Sequence, residues 1–228
     1  MVIKSIIVSL VGGFICLDRI MVQIMISRPI IAGPITGLML QDPFTGLVLG
    51  AFIELLWLDR SPMGVYVPPN DTMVAILATA GAIIVGDAVG QVTRELMALS
   101  LLLFVPVGIL GQQLDIYIFR CNDRLSEAVI SDAREGNTVG ITKKHLLGIV
   151  RSYVSMTALQ CIALIFGIVV LQALLSRLPE QVLKALLYMY FFIPLLGVAV
   201  ALTTVKLRGA IPLFAGIFLI GTLIAQVL

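Results

Sequence analysis

Side chains that form strong hydrogen bonds recur in the apolar stretch of residues 27–71. They include Arg28, Asp42, Glu54, Asp59, Asn70 and Asp71, and prolines and glycines are interspersed among them. A charged group inside a membrane is costly and normally faces a cavity or a partner. Helices broken by glycine or proline at membrane depth are typical of transport sites. The combination predicts a hydrogen-bonding solute pathway, which a plain membrane anchor would not need.

Glu54 and Trp57 are three residues apart, so they share one face of a helix. A carboxylate that accepts hydrogen bonds from paired hydroxyls, beside an aromatic plate, suits a sugar. Two alternatives stay open: Trp57 belongs to the aromatic belt at the membrane surface, and Glu54 pairs with an arginine. Arg28 either snorkels to that surface or pairs with an acid. Asp18 and Arg19, adjacent in the sequence, predict a local ion pair at the membrane surface.

The sequence Pro-Pro-Asn-Asp-Thr at residues 68–72 precedes an apolar run. Asn70 or Asp71 is predicted to cap a helix that begins near Thr72. A re-entrant loop that presents both side chains to a ligand is the alternative, and the two are compatible because a broken helix end exposes unpaired amides. The candidate substrate-binding residues are Glu54, Asn70, Asp71, Trp57, Asp42 and Gln91. Gln91 equally suits a hydrogen bond between helices.

Composition places this chain of 228 residues in a membrane, since 60% are hydrophobic, 12% are charged and the mean hydropathy is +1.10. Ordinary soluble domains carry about 25% charged residues. A net charge of +2 is too small to indicate a nucleic-acid partner. Three distant cysteines and a single histidine predict neither a disulfide framework nor a metal site, and we expect no cofactor. Common hydrolase, metalloprotease and nucleotide-binding motifs are absent from the sequence.

A membrane-spanning helix needs about 20 apolar residues. Residues 95–114, 153–175, 185–205 and 209–228 satisfy this requirement, whereas residues 30–40 and 44–58 are each too short. The sequence therefore predicts an all-α, polytopic membrane protein with broken or re-entrant helices in its N-terminal half. We divide it into an N-terminal membrane region with the sugar site (1–95), a membrane helix (96–118), a cytoplasmic amphipathic hairpin (119–152) and C-terminal membrane helices (153–228).

A short internal repeat supports the break near residue 42. Pro-Ile-Thr-Gly-Leu-Met-Leu at residues 34–40 recurs as Pro-Phe-Thr-Gly-Leu-Val-Leu at residues 43–49, nine residues later. On one continuous helix this offset would place the two copies on opposite faces. Equivalent packing of both copies thus requires a break, which Asp42 and Pro43 supply.

Residues 119–152 form the one markedly polar stretch, with six lysines and arginines and four acids. Apolar positions at helical spacing on either side of Gly136 and Asn137 predict a helix, a turn and a second helix. The six basic residues place this hairpin on the cytoplasmic side by the positive-inside rule.

The run SRPIIAGPITGLMLQDPFTGLVLGAFIELLWL at residues 27–58 is followed by MGVYVPPNDTMVAILAT at residues 63–79. Together they resemble the IIC membrane component of the mannose-type (mannose, fructose and sorbose) sugar phosphotransferase system. That family carries a similar pattern of Arg-Pro, glycine, Asp-x-x-Thr-Gly and glutamate, with a Pro-Asp loop soon after. The likeness continues more loosely to the C-terminus, so it covers most of the chain.

The resemblance implies a multi-pass protein of the inner (cytoplasmic) membrane that works with a IID membrane subunit and with soluble IIA and IIB phosphocarrier proteins. It implies a trimer of IIC–IID pairs, in which the IIC chain holds the sugar and IIB phosphorylates the sugar as it leaves. Phosphoryl chemistry then belongs to IIA and IIB. Two prolines stand before Asn70 where many relatives have a simpler Pro-Asp, which leaves the identity of the sugar open.

The resulting hypothesis is a permease subunit that binds a hexose-like sugar through Glu54, Asn70 and Asp71 and presents it to IIB. The alternative is a proton-coupled secondary transporter of a small polar solute, in which Glu54 or Asp71 carries the proton. An intramembrane enzyme is a weaker alternative, because the sequence offers no nucleophile–base pair. A receptor or scaffold would leave the polar groups without a cavity.

Overall fold

The computed structural model describes residues 1–60, 66–205 and 209–227, and all the regular secondary structure of these residues is helical. The helices are α1 (Val2–Leu17), α2 (Pro29–Met39), α3 (Pro43–Leu56), α4 (Asp71–Val89), α5 (Arg94–Phe104), α6 (Val107–Arg134), α7 (Thr138–Leu175), α8 (Glu180–Val205) and α9 (Ala210–Val227). Residues 63–65 of the family-like motif and Leu228 of the last predicted span lie outside the described residues.

Helices α2 and α3 form a tight antiparallel hairpin. With 11 and 14 residues, they measure about 16 and 21 Å, less than a bilayer core of about 30 Å. A Cβ atom at Gly46 would lie 2.3 Å from the carbonyl oxygen of Gly33, so the two backbones touch only because glycine lacks this atom. The predicted break is confirmed: Asp42 caps α3, and Pro43 is its first residue.

Helix α4 is central and is buried along almost its whole length. It begins as predicted, because Asn70 is its N-cap and the Oδ1 atom accepts a hydrogen bond from the Met73 N–H at 2.9 Å. The backbone N–H of Asn70 donates to the Gly108 carbonyl at 2.9 Å, and the Gln112 amide donates to the Val67 carbonyl. These bonds hold the segment before α4 against the first turns of α6.

Two predicted segments differ from the observed helices in their extent. The predicted span 95–114 is divided at Val105 and Pro106 into α5 and α6, because proline has no N–H and its ring clashes with the preceding turn. The helix, turn and helix predicted within residues 119–152 are present, with the turn at residues 135–137. Both helices extend beyond this stretch, so the polar hairpin is continuous with the apolar segments that flank it.

Four helical stretches among the described residues are long and apolar enough to cross a membrane, namely Asp71–Val89, Arg94–Arg134, Thr138–Leu175 and Glu180–Thr204. The remaining helices are apolar but shorter. Large apolar side chains on α7 and α9, such as Phe166 and Ile211, are exposed, which suits surroundings of lipid or of another membrane helix. The protein is therefore a polytopic, all-helical membrane protein, as predicted.

Candidate functional site

A cavity of about 700 Å³ opens where the ends of α1 and α3 meet the start of α4 and the middle of α6. Small-molecule sites typically have volumes of about 300–1,000 Å³. We call it the charged cavity, because four carboxylates and three guanidinium groups line it together with one tryptophan. These residues are Asp18, Glu54, Asp71, Asp115, Arg19, Arg28, Arg60 and Trp57.

Arg19, Asn70, Asp71 and Asp115 form one hydrogen-bonded network at the start of α4. An Nη atom of Arg19 lies 2.6 Å from Asp71 Oδ1 and 3.4 Å from Asn70 Oδ1. The Nδ2 atom of Asn70 donates to Asp115 Oδ2 at 3.0 Å. Asn70 and Asp115 are only 0% and 4% exposed, so the hydrogen bond between them is shielded from water and thereby strengthened. The network fixes the carboxylates of Asp71 and Asp115 at the wall of the charged cavity.

Glu54 lies in the last turn of α3 and forms an ion pair with Arg28, the residue before α2. The Ile30 N–H also donates to Glu54 Oε2 at 3.4 Å. The Glu54 side chain is 15% exposed and that of Arg28 is 49% exposed, so the pair closes the open end of the hairpin at the rim of the cavity. The predicted alternative of an arginine partner is thus confirmed, and the carboxylate keeps further acceptor positions for a ligand.

The connection between α1 and α2 folds around the carboxylate of Asp18. Its oxygens accept hydrogen bonds from the Ile24 N–H at 2.8 Å and from the N–H and hydroxyl of Ser27 at 3.2 and 3.0 Å. Burial by itself raises the pKa of Asp18, but these donors outweigh it and lower the pKa below its usual range. The predicted local pair of Asp18 with Arg19 is wrong, because loop donors surround Asp18 and Arg19 reaches Asp71 instead.

The arrangement suits a neutral ligand with many hydroxyl groups. Asp71 and Glu54 already have guanidinium partners, so their remaining acceptor positions favour hydroxyl donors over a free cation. Trp57 adds an apolar surface beside them, and it packs close to α6, where a Cβ atom at Gly108 would lie 3.5 Å from the indole ring. The site can therefore form hydrogen bonds to the hydroxyls of a sugar through its carboxylates and guanidinium groups, and its aromatic side chain can pack against the apolar face of the sugar ring.

The charged cavity brings together three of the six predicted substrate-binding residues, namely Glu54, Trp57 and Asp71. Asn70 lies behind the wall, where its amide is used within the protein. Asp42 caps α3 at the hairpin turn by accepting a hydrogen bond from the Thr45 N–H at 3.0 Å. Gln91 is exposed beyond the end of α4. Asp42 and Gln91 are not among the described residues that line the cavity, and a role for them in binding stays a prediction.

Arg19 and Asp115 line the charged cavity but are not among the predicted binding residues. Asp115 is the only acid between Glu95 and Asp123, and a lone acid in an apolar run is the signal that marks a functional position in a membrane protein. Arg19 gives no comparable signal, because the adjacent Asp18 offers a local partner. Only the fold brings the end of α1 against the start of α4.

Comparisons with known proteins give a consistent result across the chain. A family model described as "PTS system sorbose-specific iic component" matches residues 2–228. A sorbose-specific EIIC component from Lacticaseibacillus casei is 24% identical over 220 residues, or 96% of this chain and 76% of that protein. Its counterpart from Klebsiella pneumoniae is 28% identical over 196 residues, covering 85% and 70%. The mannose-specific EIIC component of Escherichia coli K12 is 24% identical over 214 residues, covering 93% and 77%.

Solved structures share the fold over nearly the whole chain. A chain in the structure of the mannose transporter ManYZ with microcin E492 has a TM-score of 0.61 at 22% identity, and the match covers 96% of this chain and 84% of that chain. Another chain, described as a membrane protein, has a TM-score of 0.70 at 21% identity, covering 99% and 93%.

Proposed function

We propose that the charged cavity binds the transported sugar, because this chain belongs to the family of sorbose-specific IIC components of the phosphotransferase system. The chain is a sugar-specific IIC permease component of the inner membrane. Membership in this family supports that function over a proton-coupled secondary transporter. IIC components of the mannose family work with IID, IIB and IIA proteins.

The observation that carries the proposal is the convergence of acids from three helices beside Trp57 in one cavity. Glu54 comes from α3, Asp71 from α4 and Asp115 from α6. We assign them as acceptors for sugar hydroxyls, with Trp57 against the apolar face of the ring. Arg19 and Asn70 are positioning residues, because they hold Asp71 and Asp115 in place.

A hexose-like sugar is the substrate class that we assign to the site. Relatives of the chain are named for sorbose, fructose and mannose, which are all neutral hexoses. A site built to hydrogen-bond hydroxyls discriminates strongly against a ligand that lacks one, because a buried polar group is then left unpaired. We therefore expect single deoxy analogues of the substrate to bind far more weakly than the parent sugar.

The sugar is handed to a IIB protein, which phosphorylates it, and the IIC chain itself takes no phosphoryl group. We propose a trimer of IIC–IID pairs as the assembly. Its support is the family resemblance together with the exposed apolar side chains on α7 and α9, which offer surfaces for membrane partners. Direct contacts of the sugar with Asp42 and Gln91 remain predictions.

The test is to purify the chain with its IID partner, titrate the complex with sugar and measure the binding affinity by calorimetry. We expect Glu54→Gln and Asp71→Asn each to weaken binding about tenfold or more, because a hydrogen bond to a charged acceptor contributes about 1.5–3 kcal/mol. Glu180→Gln is the matched control, since Glu180 is exposed and its ion-pair partner among the described residues is Lys184 in the next turn. Intact complexes of both cavity variants with unchanged sugar affinity would refute the assignment.

A further inference from the structure

A second cavity, of about 720 Å³, lies between α6, α7 and the end of α1. It follows the charged cavity along α6, since Asp115 and Phe119 line the first cavity while Asn122 and Ser126 line the second. Their spacing puts these four residues on one face of the helix. Ile20 borders both cavities. Sugar binding in the charged cavity makes no use of this second space.

Most of the wall of the second cavity is apolar. Leu125 and Val129 of α6 face Ile141 and Ile149 of α7, and Leu17 and Met21 close the side formed by α1 and its connection. A sugar has hydroxyls around its whole rim, so this wall would leave many of them without partners. An amphiphile with one long apolar part and one polar end matches the lining better.

Two polar side chains of the second cavity keep hydrogen-bonding capacity that no described residue uses. Lys144 Nζ pairs with Asp132 and donates to the Ala128 carbonyl at 3.2 Å, which uses two of its three donors. The Oδ1 atom of Asn122 is buried and accepts no hydrogen bond from any described residue. A ligand that carries both an anionic group and a hydroxyl would satisfy the lysine and the asparagine together.

We propose that the second cavity binds an anionic phospholipid. One acyl chain lies along the apolar wall, and the phosphate lies near Lys144 and His145, where a hydroxyl of the headgroup donates to Asn122 Oδ1. The surrounding hairpin carries six basic and four acidic residues, an excess of two positive charges. Basic pockets between membrane helices on the cytoplasmic side favour anionic headgroups, and phosphatidylglycerol supplies both the charge and the hydroxyls.

The consequence is a link between lipid and transport. A lipid in the second cavity contacts Ile20, which also borders the charged cavity. Ile20 follows Arg19, the residue that holds Asp71. Bound phosphatidylglycerol therefore braces the connection that positions one acid of the sugar site.

The test is photo-crosslinking of the chain, in complex with its IID partner, in phosphatidylcholine nanodiscs. A trace of phosphatidylglycerol with a photoreactive acyl chain is added, and labelled peptides of α6 and α7 are quantified. We expect Lys144→Gln to lower the yield about fivefold, while Lys143→Gln, an equal charge change at an exposed neighbour outside the cavity, lowers it less than about twofold. Gly148→Leu, which fills the cavity from α7, should abolish the labelling.

Asp132→Asn separates a structural effect of Lys144→Gln from the loss of a lipid contact. It breaks the same ion pair but keeps the lysine, so this variant should retain the labelling. Equal losses in the Lys143 and Lys144 variants would mean diffuse charge attraction and would overturn the site. Equal competition by unlabelled phosphatidylcholine and phosphatidylglycerol would overturn the headgroup preference. If a IIB protein displaces the label and phosphatidylglycerol does not, the occupant is a protein and the lipid assignment fails.

Discussion

Asn70→Asp should destabilise the protein, and adding Asp115→Asn should restore much of the lost stability. In the native network, Asn70 Nδ2 donates to Asp115 Oδ2 at 3.0 Å, while Asn70 Oδ1 caps α4. The single variant N70D keeps an oxygen for the cap but replaces the donor by a second carboxylate. The double variant N70D/D115N reverses the polarity of the bond, because an amide at position 115 can donate to a carboxylate at position 70.

The expected magnitude follows from the distance. Loss of a hydrogen bond between membrane helices costs about 0.6–2 kcal/mol. Two carboxylates about 3 Å apart repel each other by about 5 kcal/mol at an effective dielectric constant of about 20. A proton shared between them and the nearby Arg19 guanidinium both reduce this repulsion. We therefore expect N70D to lose about 2–4 kcal/mol of unfolding free energy and the double variant to lose less than about half of that.

The assay is equilibrium unfolding of the purified protein in mixed micelles with increasing sodium dodecyl sulfate, arranged as a double-mutant cycle. Asp87→Asn is the control, since Asp87 and its partner Lys4 are both about half exposed, and it should change stability by less than about 0.5 kcal/mol. Wild-type stability in N70D would show that the Asn70–Asp115 hydrogen bond does not stabilise the protein. So would a double variant whose loss equals the sum of the two single losses, because the pair would then be uncoupled.

Three further predictions address the α2–α3 hairpin, the connection around Asp18 and the membrane side of residues 119–152. Gly46→Leu should separate α2 from α3, because a Cβ atom there would lie 2.3 Å from the Gly33 carbonyl oxygen, so we expect a lower melting temperature and loss of sugar binding. Gly216→Leu is the control: no described atom lies within 4 Å of a Cβ atom at Gly216, so this variant should keep the wild-type melting temperature and sugar binding. The fold lowers the pKa of Asp18. The ionised Asp18 carboxylate therefore stabilises the folded protein above the unfolded pKa of about 3.9, and this stabilisation is lost as the pH falls through the lower folded value. Asp18→Asn should remove this acid sensitivity from thermal melts, and an unchanged pH dependence would contradict the loop network. Asn137→Cys should react with a membrane-impermeant maleimide in inside-out vesicles, and labelling in intact cells alone would place residues 119–152 on the outside.

Features set by residues close together in the sequence could be predicted. The cap of α4 was predictable because Asn70 precedes an apolar run directly and needs only a local bond to Met73. The break between α2 and α3 was predictable because Pro43 cannot continue a helix and Asp42 can begin a new one. The same local logic predicted that Glu54 and Trp57 share a face, and both line the charged cavity.

Contacts between distant segments could not be predicted from the sequence. Arg19 has an acid beside it, yet it pairs with Asp71 because α1 packs on α7 and α4 and so ends at the start of α4. The Asn70–Asp115 bond depends on the break before α6, which lets the segment before α4 approach Gly108. Gln91 is a polar residue in an apolar context, but α4 runs for 19 residues and carries it about 28 Å along the axis from Asn70.

The most direct test of the sugar site is an experimental structure of the chain with its IID partner at saturating mannose or sorbose. We expect one sugar in the charged cavity, with hydroxyls within hydrogen-bonding distance of the Asp71 and Asp115 carboxylates and the ring against Trp57. A sugar bound elsewhere, with the charged cavity free of it, would show that this cavity is not the sugar site.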